Sequence, residues 1–160
     1  MRGTLPPSSL IKLRKGPAVK IDVLRIIDAN INRSKEGLRV CEEVARFILN
    51  SASLTRAFKK IRHQIDSLVK RLPSKQELLK KRRSLNDVGK EIFGRELKRK
   101  NCQDIFSANI QRVEESLRVL EEFSKLKDTR IAVAFKRLRY GIYEIEKKVT
   151  QKLISLFDCR

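Results

Sequence analysis

The chain has one histidine, six glycines, four prolines and three cysteines among 160 residues, and each scarcity closes off a class of protein. So few glycines and prolines supply too few turns for a many-stranded β architecture. Cys41, Cys102 and Cys159 are odd in number and lack Cys-x-x-Cys spacing, so neither a disulfide framework nor a zinc knuckle is encoded. A reducing cytoplasm is the expected compartment. No apolar run approaches the ~18 residues that span a bilayer, and residues 1–16 lack the uninterrupted apolar stretch of a signal peptide, so a soluble, unprocessed chain is expected. Also missing are a Gly-x-x-x-x-Gly-Lys-Ser/Thr loop, a Gly-x-Gly-x-x-Gly turn and a Ser/His/Asp set. Those absences exclude a kinase of an ordinary fold.

Positive charge is abundant. Against 19 Asp+Glu stand 38 Lys+Arg, giving a formal net charge of +19 and a pI near 10.4, so the binding partner is expected to be anionic. Hydrophobic residues make up 41% and charged residues 36%, enough to close a core and unlike a disordered basic tail. The length suits one domain.

Residues 1–20 hold Arg2, Lys12, Arg14, Lys15 and Lys20 without an acid and read as a basic, loosely docked arm. From residue 21 to about Asn50, Ile27, Ile31, Leu38, Cys41, Ala45 and Ile48 recur at helical spacing. Leu54 to about Leu72 repeats the pattern through Phe58, Ile61, Ile65 and Leu68, with a break at Ser51-Ala52-Ser53 and a stop at Pro73-Ser74. A short helix is expected from Lys75 to about Arg83, then a loop around Asp87-Val88-Gly89. The expected fold is all-α: a single helical domain over 21–160, with repeat one at 21–72, a basic connector at 73–103 and repeat two at 104–158.

The repeat is visible directly. Residues 28–43 (DANINRSKEGLRVCEE) align with 107–122 (SANIQRVEESLRVLEE), with about ten of these sixteen positions identical. Residues 57–63 (AFKKIRH) likewise align with 134–140 (AFKRLRY). A duplicated helical hairpin is expected. On its first helix Asn30, Arg33, Gly37, Val40 and Val44 fall on one line beside the apolar stripe, and Asn109, Arg112, Ser116, Val119 and Phe123 repeat that line. Two antiparallel or pseudo-symmetric helices would bring Asn and Arg of both copies to a shared crevice. A guanidinium there offers a planar fork for phosphate oxygens, and an amide both donates and accepts. The plainer reading pairs Arg33 with Glu36 and Arg112 with Glu115 as surface i,i+3 contacts worth ~0.2–0.5 kcal/mol each. Glu36, Glu42, Glu43, Glu115, Glu121 and Glu122 offer carboxylates for Mg²⁺, with helical salt bridges as the simpler alternative. His63 stands where the second copy has Tyr140 and reads as a packing or hydrogen-bonding residue rather than a base.

The run from Asp28 to Arg39, continued by Glu42-Glu43 and Arg46-Phe47, resembles a small helical family of alternative hydroxymethylpyrimidine-phosphate kinases tied to thiamine biosynthesis. Ile61-Arg62-His63, Asp87-Val88-Gly89, Ala108-Asn109, Arg112, Glu115, Leu117-Arg118 and Glu121-Glu122 extend the resemblance over roughly residues 22–150. Members of that family occur alone or fused in front of thiamine-phosphate synthase. The resemblance implies transfer of a phosphoryl group from ATP, as co-substrate with Mg²⁺, to 4-amino-5-hydroxymethyl-2-methylpyrimidine phosphate. It also implies roles: Arg33, Arg112 and Asp87 in catalysis, and Asn30, Arg39, Arg82, Asn109, Arg118 and Gly89 in substrate and phosphate binding. Glu43, Glu122 and Asp87 would hold Mg²⁺. Members often carry an acid after the arginine that precedes the Asp-Val pair, whereas Arg83 follows Arg82 here.

ATP and the pyrimidine monophosphate are thus the expected partners, with coupling to thiamine-phosphate synthase and homo-oligomer formation as further expectations, and no membrane. The rival reading is a basic helical module that binds nucleic acid without catalysis, held by salt-sensitive phosphate contacts. Against it stand the 6% aromatic content and the glutamates interleaved with the arginines.

Overall fold

A computed structural model describes residues 22–72, 75–89 and 98–158. The basic arm at 1–20, Cys159, and Lys90 and Arg95 of the connector lie outside the described residues. Every regular element among those described is helical, in agreement with the all-α expectation: α1 (Val23–Glu43), α2 (Ala52–Val69), α3 (Lys75–Lys81), α4 (Cys102–Ser124) and α5 (Thr129–Asp158). None of these helices is long and apolar enough to cross a membrane.

Local chemistry sets the boundaries. α1 runs on into a π-helical turn, Val44–Ile48, and Asn50 then takes a left-handed φ of 46°, a conformation that asparagine tolerates better than most residues. The Ser51 N–H reaches back to the Ala45 carbonyl at 3.0 Å, so the chain turns directly into α2. At the start of α4, Asn101 Oδ1 accepts the Asp104 N–H at 2.8 Å while Asp104 Oδ2 accepts the Lys100 N–H at 3.0 Å, which satisfies donors that the helix itself leaves orphaned. Asp128 does the same for α5 by accepting the Arg130 N–H at 2.8 Å.

α4 packs on α1 and on α5, α2 and α3 lie against α1, and α2 also meets α5. Phe58, Phe106 and Phe135 are fully buried at the centre, and Phe58 meets Phe106 edge to face at 6.5 Å. α1 and α4 run antiparallel: Cys41 lies against the Phe106 carbonyl at one end and Asn30 shares a cleft with Ser116 and Val119 at the other. Between these points a Cβ on Gly37 would stand 2.8 Å from both the Asn109 carbonyl oxygen and Val113 Cγ2. Glycine is required there by space rather than by backbone angle.

The matched segments make matching ion pairs. Glu42 is buried and receives Arg62 of α2 at 2.8 Å and Arg39 at 3.5 Å. Glu121, equally buried, receives Arg139 of α5 and Arg118, both at 2.9 Å. Either carboxylate left unpaired in this interior would be costly, so these arginines pin α2 to α1 and α5 to α4.

Position 35 departs from that correspondence. Lys35 pairs with Asp66 at 2.6 Å, but its counterpart is Glu114, one of whose carboxylate oxygens is buried without a partner. Burial, then a hydrogen bond and repulsion from Glu146, push the Glu114 carboxyl up to about 7, against a smaller pull from Arg139. Cys41 lies in the same electrostatic neighbourhood, and burial followed by the Glu146 charge pushes its thiol up to about 12, which makes it an inert packing residue.

Two outcomes follow from this packing. Gly37→Ala gains helix propensity of about 1 kcal/mol yet forces α4 backbone to move, so urea denaturation should show a net loss of roughly 1–2 kcal/mol. A gain in stability would refute the close approach. Because Glu114 binds its proton more tightly folded than unfolded, its contribution is fully present below about pH 4.5 and is lost as pH rises to about 7. The melting temperature should therefore be higher at pH 5.5 than at pH 7.5, and Glu114→Gln should flatten that difference; an unchanged slope in the variant would contradict it.

Candidate functional site

The antiparallel contact of α1 and α4 carries the two repeated lines into one place. Asn30 and Arg33 of α1, with Arg112, Glu115, Ser116 and Val119 of α4, line a cleft of about 400 Å³. Asn30 is nearly buried, and its amide donates to the Ile26 carbonyl at 2.8 Å.

The two arginines stand apart from Arg39 and Arg118 of the same repeated segments and from Arg62 and Arg139 of the helices that follow. Arg39 and Arg118 each bridge the two glutamates that follow on their own helix, and Arg62 and Arg139 hold the buried glutamates described above. Among the described residues, Arg33 and Arg112 make neither an ion pair nor a hydrogen bond. The plainer expectation, i,i+3 pairing with Glu36 and Glu115, is not realised. Two cations in one cleft repel each other, and an anion with several oxygens relieves that repulsion while offering the planar forks their acceptors.

Beyond Arg33 a second cleft of about 290 Å³ opens toward the connector, where Arg25, Glu36, Arg82, Arg83 and Asp87 join it. Arg82 is held by Asp28 in a two-pronged pair, Nε to Oδ2 and Nη2 to Oδ1, each at 2.8 Å. This pairing raises the guanidinium's pKa above its ordinary value and fixes its plane, leaving Nη1 uncommitted to the carboxylate. Asp87 Oδ1 accepts the Gly89 N–H at 3.0 Å, so the Asp-Val-Gly loop is closed on itself beside Arg33. The Arg25 guanidinium donates to the Arg83 carbonyl at 3.4 Å and ties the connector to α1.

The structure thus places Asn30, Arg33 and Arg112 in one cleft and Arg33, Arg82 and Asp87 in the next, with Gly89 bonded to Asp87. The other expected site residues line neither cleft. Asn109 donates to the Ile105 carbonyl at 2.8 Å and lies beneath Gly37. Arg39 and Glu43 are paired at 3.1 Å, Arg118 and Glu122 at 2.9 Å, and Lys125 holds Glu122 as well, so its carboxyl stays below the ordinary range. The structure does not bring Glu43, Glu122 and Asp87 together, and no group of three acids, histidines or cysteines among the described residues is placed to hold a metal. That set does not fit a Mg²⁺ ion held by the protein alone.

Sequence reasoning passed over Asp28. The signal was present: Asp28 aligns with Ser107, and the connector that supplies Arg82 has no second copy. It also left His63 without a ligand role, yet His63 lines a third cavity between α1, α2 and α3.

The ThiD2 family profile matches residues 25–148. A thiamine-phosphate synthase of Nostoc punctiforme is 41% identical over 128 residues, covering 79% of this chain and 35% of the relative. One from Synechocystis is 38% identical over 138 residues, covering 82% and 38%, and one from Rhodopirellula baltica is 37% identical over 135 residues, covering 84% and 36%. The chain therefore spans little more than a third of the length of these relatives. No solved structure matches it significantly. With most of the chain under one family profile and several relatives above 30% identity, the chain belongs to the ThiD2 family.

Proposed function

We propose that this chain acts in thiamine biosynthesis as an ATP-dependent kinase, converting 4-amino-5-hydroxymethyl-2-methylpyrimidine phosphate to the diphosphate. The observation that carries the reading is the pair Arg33 and Arg112, which share one cleft with Glu115 and make no ion pair among the described residues, while Arg39 and Arg118 of the same segments are bound to carboxylates. The family resemblance and the relatives' printed names, thiamine-phosphate synthase, support the pathway.

Phosphoryl transfer asks the protein for positioning and for positive charge around the moving group rather than for covalent chemistry. The bond from the γ-phosphorus to the ADP oxygen breaks as an oxygen of the acceptor phosphate bonds to that phosphorus, yielding ADP and the diphosphate. The acceptor is already anionic, so no base is needed. In this reading Arg33 spans both clefts and contacts the transferred group, Arg112 faces it across the first cleft, and Arg82, oriented by Asp28, holds phosphate from the second. Asp87 orders the loop that closes this end. Mg²⁺ is proposed only as the counter-ion that ATP carries, and no protein-held metal enters the scheme.

Incubation with ATP, Mg²⁺ and the pyrimidine monophosphate should yield the diphosphate by mass spectrometry. Arg33→Ala and Arg112→Ala should each lower kcat/KM by about 100-fold or more with helical circular dichroism intact. Absence of the diphosphate from the wild-type reaction, with salt-sensitive retention on nucleic acid instead, would favour the basic binding module.

A further inference from the structure

A third cavity lies beside the two arginine clefts. It measures about 750 Å³, within the range of small-molecule sites, and sits where α2 and α3 diverge over α1. Its floor is apolar, with Ile31, Leu72 and Leu78 all buried. Its rim is polar in a definite way. One N–H of the Asn32 amide goes to the Asp28 carbonyl at 3.0 Å, which leaves its second N–H as a donor and Oδ1 as an acceptor. Asp66 gives Oδ1 to Lys35 at 2.6 Å and keeps Oδ2. His63 and Ser67 stand along the α2 wall.

An apolar floor under acceptors and a few donors suits a flat ring that carries an exocyclic amine and ring nitrogens. The cavity also adjoins the cationic track: Asp28, Asn32 and Arg82 line both it and the second cleft, and Arg33 lines the second cleft and the first. A ring seated between α2 and α3 would direct a phosphate tail past Arg82 toward Arg33. We propose that this cavity binds the amino-substituted heteroaromatic ring of a phosphorylated substrate. This rests on the kinase reading for its ligands, because adenine in ATP and the aminopyrimidine of the acceptor share that ring chemistry. The geometry also gives α3 and the Asp28–Arg82 pair a purpose, since they form the wall between ring and phosphate.

Binding, rather than turnover, separates this proposal from the kinase reading. Calorimetry would use adenosine, the unphosphorylated aminopyrimidine alcohol and inorganic tripolyphosphate as probes. Ser67→Trp and Leu79→Trp fill the cavity from opposite walls at exposed positions, so neither should unfold the protein, which circular dichroism checks. The expected result is at least a tenfold loss of affinity for one or both ring probes in each variant, with tripolyphosphate binding unchanged. Loss for adenosine assigns the cavity to the nucleotide, and loss for the pyrimidine assigns it to the acceptor. Wild-type protein that binds neither ring, variants that bind both rings as wild type does, or an equal loss for tripolyphosphate would each overturn the proposal. A chain that binds rings in this cavity but forms no diphosphate would refute the kinase reading and leave the cavity assignment standing.

Discussion

Where α1 crosses Gly37, a single Cβ would stand 2.8 Å from the α4 backbone, and the rest of the molecule is arranged around that approach. The contact sets the register of two antiparallel helices, and the register decides which side chains face each other across the seam. Ser34 and Val113 are buried in it, while Arg33 and Arg112, one residue earlier on each helix, emerge into the same cleft. A register shifted by one turn would separate the two guanidinium groups along the helix axis by roughly 5.4 Å for each turn of slip. α2 and α5 then flank this pair, each pinned by an arginine to a buried glutamate, Arg62 to Glu42 and Arg139 to Glu121.

Those ion pairs also sort the charge. A chain with twice as many basic as acidic side chains cannot neutralise them all, so the informative question is which cations are left over and where. Many stand singly in solvent, where screening makes them weak. Arg33 and Arg112 differ because both line one cleft, where their field and hydrogen-bond donors act on a shared volume. Arg82 illustrates the opposite solution: it keeps its charge beside Asp28 but has its plane fixed by two bonds, a preoriented donor rather than a free one.

Much of this was legible in the residues alone. The 3.6-residue period marked out the helices and Ser51-Ala52-Ser53 the break before α2, while the Pro73-Ser74 stop lies outside the described residues; the alignment of 28–43 with 107–122 singled out Asn30, Arg33, Asn109 and Arg112, of which Asn109 lies under Gly37 rather than in the cleft. The partners of charged side chains were not legible. A Glu three or four residues from an Arg satisfies the spacing for a helical ion pair at Arg33, Arg39, Arg112 and Arg118 alike, yet only Arg39 and Arg118 make it. What separates them is the covering element: Arg62 and Arg139 hold Glu42 and Glu121 next to Arg39 and Arg118, whereas the cleft leaves Arg33 and Arg112 uncovered. Those are tertiary facts, and helical spacing carries no record of them. The Asp28–Arg82 pair escaped for the same reason, since it joins residues 54 apart through a connector with no repeated pattern.

The most direct test asks whether the unpaired arginines, rather than the basic surface at large, hold the anion. Tripolyphosphate affinity should be measured by calorimetry at fixed ionic strength for wild type, Arg33→Ala, Arg112→Ala, Arg39→Ala and Arg118→Ala. Each of the first two substitutions should weaken binding at least tenfold, while Arg39→Ala and Arg118→Ala should leave it within about twofold, because their charges are already matched by neighbouring glutamates. Equal losses across all four variants, or full affinity in Arg33→Ala, would contradict an anion site at the α1–α4 seam.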